Sequence, residues 1–127
     1  MNTNPKHKIK IIGSKNEKPI IFYEEVKKPS IETSLLSWDY IREITDGKPF
    51  YLIIDVSQTN PPNAELRAFM KRRYAESKDE VLFSYVIIGK NWLYKAAFKF
   101  LAASVGIKCV DVVKNIDQAQ QKIANAN

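Results

Sequence analysis

The stretch Phe50–Asn63, FYLIIDVSQTNPPN, contains the feature that decides the fold. Its apolar part, Tyr51–Val56 (YLIIDV), has the length and β-branched content of a strand buried on both faces. The apolar run breaks at Asp55, and the polar loop that follows carries two prolines, which suit the first turn of a helix capped by Asn60. In open α/β sheets, ligands and partners bind in the crevice beyond the carboxyl ends of such strands. We therefore expect any binding site to lie at this loop.

Strands and helices alternate on both sides of this stretch. Upstream, HKIKIIG and PIIFYEEV predict two strands, and the turn-like GSKNEK between them is too short for a crossover helix, so the pair should form an antiparallel hairpin. The predicted elements are strands over 7–13, 19–26, 51–56, 81–88 and 108–113, and helices over about 31–46, 61–77, 91–105 and from 116 onward. The order β-β-α-β-α-β-α-β-α predicts an α/β fold with a mixed sheet and helices packed on it.

Local signals mark the ends of the first and last helices. Ser30 is a good N-cap and Gly47 a good C-terminal stop for the first helix, and Asn115 with Gln118 resembles a capping box for the last. Apolar side chains at helical spacing should pack the first helix on the sheet. They are Ile31, Leu35, Trp38, Ile41 and Ile44.

The size of the chain and its cysteine content limit the kind of protein this is. A chain of 127 residues can bury a sound core as one domain over 1–127, with residues 1–6 expected to be flexible. The single Cys109 excludes an internal disulfide, and with one histidine, His7, it excludes a His/Cys metal cluster. No cofactor is indicated. No apolar segment is long enough for a signal peptide or a spanning helix, so we expect a cytoplasmic protein.

The positive charge raises the question of an acidic partner. The net charge is +6 and the pI is about 9.4. Lysines and arginines are scattered along the chain, and the basic second helix lacks the interleaved glycines or aromatics of a nucleic-acid reader. We therefore expect a solvated basic surface, and nucleic acid is not the expected partner.

The motif around Asp55 carries a family resemblance. The segment reads Asp55, Val56 and Ser57, then Asn63, Glu65, Leu66 and Arg67, followed by a strand and the alanine- and phenylalanine-rich VIIGKNWLYKAAFKFLAASVG. With the opening hairpin, this pattern resembles the STAS domain of bacterial anti-sigma-factor antagonists, and in particular its divergent branch of small stand-alone proteins. The resemblance implies a STAS-like fold over nearly the whole chain and a regulatory role through protein binding.

One feature of the family is missing from this chain. The antagonists are phosphorylated on a serine or threonine at the start of the helix after this strand. Here Asn63 and Ala64 stand at that position, so the sequence lacks the family phosphoacceptor. Ser57 and Thr59 are the nearest hydroxyl groups that could substitute for it.

Polar residues after two neighbouring strands form the candidate site. They could line an anion or peptide site at two helix N-termini, or they could be ordinary helix caps and turn residues. A phosphoacceptor role for Asp55 would need an acidic pair after the first strand, where the chain has IIG instead. The candidate binding residues are Asp55, Ser57, Thr59, Asn60, Lys90, Asn91 and Trp92.

The predicted helix over 91–105 is apolar almost all round, so its aromatic side chains should leave some apolar surface uncovered. That surface predicts a contact between copies of the chain, or a groove against the second helix that holds a lipid-like acyl ligand, although the helix could equally be fully buried. The sequence offers no nucleophile with its base and no phosphate-binding glycine loop. We expect a non-enzymatic module that binds a protein partner, with an apolar-ligand carrier as the alternative.

Overall fold

A computed structural model of the protein describes residues 8–59, 63–77, 79–89 and 110–125. The described strands are β1 (Ile9–Lys15), β2 (Lys18–Glu24), β3 (Phe50–Asp55), β4 (Val81–Ile87) and β5 (Val110–Val113). The described helices are α1 (Ile31–Thr45), α2 (Ala64–Ser77) and α3 (Ile116–Asn125). The predicted strands over 19–26, 51–56, 81–88 and 108–113 thus appear as β2 to β5. The predicted helix over 91–105 and residues 1–6, which were expected to be flexible, lie outside the described residues.

The five strands form one mixed sheet in the order β1-β2-β3-β4-β5. Strand β1 pairs with β2 antiparallel, and every other neighbouring pair is parallel. The predicted α/β class and the opening hairpin are therefore confirmed. Strand β1 ends at Lys15, beyond the predicted end at Gly13. The reason is that a two-residue turn at Asn16 and Glu17, both with positive φ, replaces the longer predicted turn GSKNEK.

Strand β3 is the centre of the sheet and is covered on both faces. Leu52 and Ile53 are both 0% exposed although their side chains point to opposite faces. Leu52 packs in the cluster that includes Trp38 and Ile41 of α1, and Ile53 packs in the cluster that includes Ile123 of α3. The sheet is therefore the middle of three layers, as the unbroken apolar run of β3 predicted.

Helices α1 and α2 lie on the same face. The crossovers β2-α1-β3 and β3-α2-β4 step in the same direction along the sheet, and a shared handedness places both helices on one side. Met70 of α2 packs against the same cluster as Trp38 of α1. Arg42 of α1 pairs with Glu80 just before β4 at 3.4 Å. Helix α3 covers the opposite face, where the Lys15 ammonium donates to the Ile123 carbonyl near the end of the helix.

The predicted N-caps of α1 and α3, Ser30 and Asn115, are confirmed. The Ser30 hydroxyl accepts from the Thr33 amide at 3.1 Å while the Thr33 hydroxyl accepts from the Ser30 amide at 2.9 Å, which is a reciprocal capping box. The Asn115 side chain accepts from the Gln118 amide at 2.8 Å. The Gln118 side chain accepts from the amide of Lys114 rather than that of Asn115.

Helix α1 differs from the predicted packing at one position. Leu35 was expected in the core, but it is 39% exposed. The buried side of the first half of the helix carries hydroxyl groups instead, from Thr33, Ser34 and Ser37. The reason is the polar group beneath them: the Ser37 hydroxyl lies 2.9 Å from the hydroxyl of Tyr23 on β2. A leucine in place of Ser37 would remove one of the two buried partners of the tyrosine hydroxyl, the other being the Glu25 carboxyl group.

Candidate functional site

The carboxyl ends of the four parallel strands meet at one edge of the sheet. Their last residues, Glu24, Asp55, Ile87 and Val113, are aligned in register across the sheet. The loop after β3 therefore lies between the loops after β2 and β4, and its place beside the loop after β4 is the one that the sequence predicted. This row and the loops beyond it are the carboxyl edge.

The loop after β3 is held by the side chain that ends the strand. The Asp55 carboxylate accepts from the Ser57 amide at 2.8 Å, which is an Asx turn. The Thr59 amide donates to the Val56 carbonyl at 3.1 Å. Asp55 therefore has the role of a turn residue, which was one of the two roles that the sequence allowed for the candidate residues. Ser57 is half-buried and Gln58 is exposed.

Thr59 points into the protein. It is 6% exposed, and its hydroxyl lies 3.5 Å from the Glu25 carbonyl just beyond β2. The Glu25 amide in turn donates to the Asp55 carbonyl at 3.0 Å. These contacts join the loops after β2 and β3, which makes Thr59 a structural residue of the carboxyl edge.

The loop after β4 packs directly on the loop after β3. Gly89 has a φ of +57°, and a Cβ built on it would lie 2.9 Å from the Cβ of Ser57. No real side chain tolerates that distance without a shift. The candidate residues Asp55, Ser57 and Thr59 therefore share one rim with Gly89, while Asn60, Lys90, Asn91 and Trp92 lie outside the described residues.

The start of α2 corrects the predicted cap. The helix begins at Ala64, and the Asn63 side chain accepts from the Leu66 amide at 2.8 Å. The prediction that Asn60 caps this helix is wrong, because Asn63 already satisfies the free amide of the first turn.

A buried carboxyl group that the sequence analysis missed lies at the same edge. Glu25 is 9% exposed. Its Oε1 accepts from the Tyr23 hydroxyl at 2.8 Å and from the Val26 amide at 2.9 Å. Burial raises the pKa of Glu25, and these two hydrogen bonds offset part of that rise. The alternation of side chains between the two faces of β2 could have revealed this group from the sequence, because it places Glu25 on the same face as Ile21 and Tyr23, under α1.

The raised pKa of Glu25 predicts how stability depends on pH. The folded protein holds this proton more tightly than the unfolded chain, so the contribution of Glu25 to the free energy of unfolding falls as pH rises from its ordinary pKa of 4.5 through its folded pKa. Glu25→Gln keeps an oxygen acceptor but removes the titration. We expect chemical denaturation at several pH values to show the variant gaining stability relative to wild type over that range.

The matched control for this measurement is Glu24→Gln. It removes a half-exposed carboxylate one residue earlier, whose partner Lys8 lies 3.8 Å away at the surface. The comparison separates burial at Glu25 from the general loss of a negative charge in this segment. A Glu25→Gln protein with the same pH slope as wild type would contradict the assignment.

No helix in the described part of the chain is both long and apolar enough to cross a bilayer. No protein-family model matches the sequence, and none of the curated proteins matches it either.

Proposed function

We propose that the protein is a STAS-like, non-enzymatic module that binds another protein at the carboxyl edge. The observation that carries the proposal is the fixed shape of residues 56–59, the described start of the loop after β3. The Asx turn at Asp55 and the close packing of Ser57 on Gly89 hold this loop before any partner arrives. A preorganised loop binds without a large ordering cost, which suits recognition of a protein surface.

Two of the carboxyl groups described at this edge, those of Asp55 and Glu25, have structural roles. Asp55 accepts from the amide of Ser57, and Glu25 accepts from Tyr23 and Val26. A phosphoacceptor or a general base needs its carboxylate directed at a substrate, whereas these two are directed at their own fold. This use of both groups favours a binding surface over a reaction centre.

We further propose that binding is not controlled by phosphorylation at the start of α2. Asn63 there uses its side chain to cap the helix at the Leu66 amide, and it has no hydroxyl to modify. The same free amides are what would attract a phosphate in relatives that carry a serine. A module with asparagine at this position would be constitutively competent to bind.

Affinity isolation from the native cell tests the function. The informative variant is Gln58→Arg, which adds bulk and charge at an exposed position of the loop. The matched control is Glu17→Lys, which makes a charge change at the hairpin turn on the opposite edge of the sheet. We expect one stoichiometric protein partner with wild type and with the control, and at least about a tenfold loss with Gln58→Arg, as for a disrupted interface centre.

Two outcomes would overturn the proposal. The first is equal recovery of the partner with all three proteins, because binding would then not involve the loop after β3. The second is recovery of no stable partner together with turnover of a metabolite by the purified protein, which would point to an enzyme.

A further inference from the structure

Helices α1 and α2 run side by side in the same direction on one face of the sheet. Each begins just beyond the carboxyl edge and returns toward the other edge. Asp39 of α1 lies 3.9 Å from Arg73 of α2, which fixes their relative height. Their outward surfaces form a face separate from the carboxyl edge, so a contact made there is independent of the proposed function.

The outward stripe of α1 is acidic with an exposed leucine. Glu32, Leu36, Asp39 and Glu43 follow the i, i+4, i+7, i+11 spacing of one helix face, and all four are exposed. Leu36 is 40% exposed. This stripe is unusual in a chain of net charge +6, because it carries three carboxylates, of which only that of Asp39 pairs with a cation of α2, Arg73.

The outward stripe of α2 has the complementary character. Ala64, Ala68, Lys71 and Ala75 follow the same spacing and are all exposed. Arg72, also exposed, lies beside this stripe, with its guanidinium 6.0 Å from the centre of the Phe69 ring. The stripe therefore combines small side chains, which allow another helix to approach closely, with positive charge.

We propose that two copies of this chain associate through α1 and α2, with the acidic stripe of each copy on the basic stripe of the other. A two-fold axis can bring the α1–α2 faces of two copies together in either of two directions. It can run perpendicular to the helices, or it can run parallel to the groove between α1 and α2. An axis across the helices places α1 on α1, which opposes carboxylates to carboxylates. An axis along the groove places each α1 on the partner's α2, and the contact closes as a dimer.

Shape and size support the same arrangement. The side chain of Leu36 would meet the alanines of the partner's α2, so a large residue fits against small ones. A pair of helices about 20 Å long and about 20 Å wide offers a modest surface compared with the roughly 800 Å² per partner of a standard interface. The expected dimer is therefore weak, with a dissociation constant on the order of micromolar.

Charge exchange between the two stripes tests the dimer. One variant, Glu32→Lys/Glu43→Lys, makes both stripes basic, and a second, Lys71→Glu/Arg72→Glu, makes both acidic. Sedimentation equilibrium of the full chain measures the association. A salt concentration of about 150 mM, where the Debye length is about 8 Å, limits long-range repulsion between the copies. We expect each variant alone to associate at least about tenfold more weakly than wild type, and an equal mixture of the two to recover the association.

The controls use the same charge changes elsewhere. Glu17→Lys at the hairpin turn and Lys10→Glu on the face covered by α3 should dimerise like wild type, and thermal unfolding verifies that every variant folds. The proposal is overturned if wild type is monomeric up to about 300 µM, a concentration that would reveal even a weak interface. It is equally overturned if the mixture of the two charge-exchanged variants associates no better than either variant alone.

Discussion

Replacing Leu52 or Ile53 with alanine is expected to lower the free energy of unfolding by about 3 to 4 kcal/mol in each case. The two residues are adjacent in β3, and both are 0% exposed. Leu52 loses contacts with the layer of α1 and α2, whereas Ile53 loses contacts with the layer of α3. Equal losses from side chains on opposite faces are the energetic signature of a sheet covered on both sides. Urea denaturation of the purified variants measures them.

Ile11→Ala is the control for these two substitutions. Ile11 lies on the edge strand β1 and is 50% exposed, so its truncation should cost less than about 1 kcal/mol. A loss at Ile53 no larger than the loss at Ile11 would mean that α3 does not hold the second face. If only Leu52→Ala lowered the free energy of unfolding, the sheet would be covered on one face and the fold would have two layers.

The central strand and the helix caps were predictable because their signals are local. Four consecutive apolar residues at 51–54 leave no polar side for water, so burial on both faces follows from the sequence itself. Ser30 and Asn115 each contact an amide three residues ahead, and such contacts depend on few other parts of the chain.

The cap of α2 was not predictable by the same reasoning. Asn60 and Asn63 are both good N-caps, and their spacing of three residues fits either as the start of the helix. Which of the two asparagines caps α2 depends on how many residues the loop after β3 spans before the helix begins. The Asx turn at Asp55 and the close packing of Ser57 on Gly89 shape the described start of this loop, and both are features of the folded chain.

The buried polar group under α1 was missed for a related reason. Apolar periodicity indicates which side chains can be buried, and it favoured Leu35 over the hydroxyl residues around it. Tyr23 and Glu25 reverse that preference, because their polar atoms need partners once the strand is covered. Pairing between residues 14 positions apart, as for Tyr23 and Ser37, cannot be read from the local pattern of either element.

Gly89→Ala is expected to cost about 2 to 3 kcal/mol of unfolding free energy, which is unusual for one added methyl group at an exposed position. Two causes combine. A residue with a Cβ is strained at a φ of +57°, and that Cβ would lie 2.9 Å from the Cβ of Ser57. The Ser57 Cβ is attached directly to the backbone, so rotating the serine side chain does not relieve the contact. The loop after β3 must move, and binding at the carboxyl edge should weaken with it.

A double-mutant cycle with Ser57→Gly separates the two causes. Removing the Ser57 Cβ relieves the contact but not the backbone strain, so Ser57→Gly/Gly89→Ala should recover about half of the loss, or at least about 1 kcal/mol. Ser57→Gly alone should cost about 0.5 to 1 kcal/mol, because glycine loosens the loop in the unfolded and folded chain. Thermal or chemical denaturation of the four proteins gives the coupling energy. If the two substitutions are additive within about 0.5 kcal/mol, the loops after β3 and β4 are not in contact, and the preformed shape of the carboxyl edge is refuted.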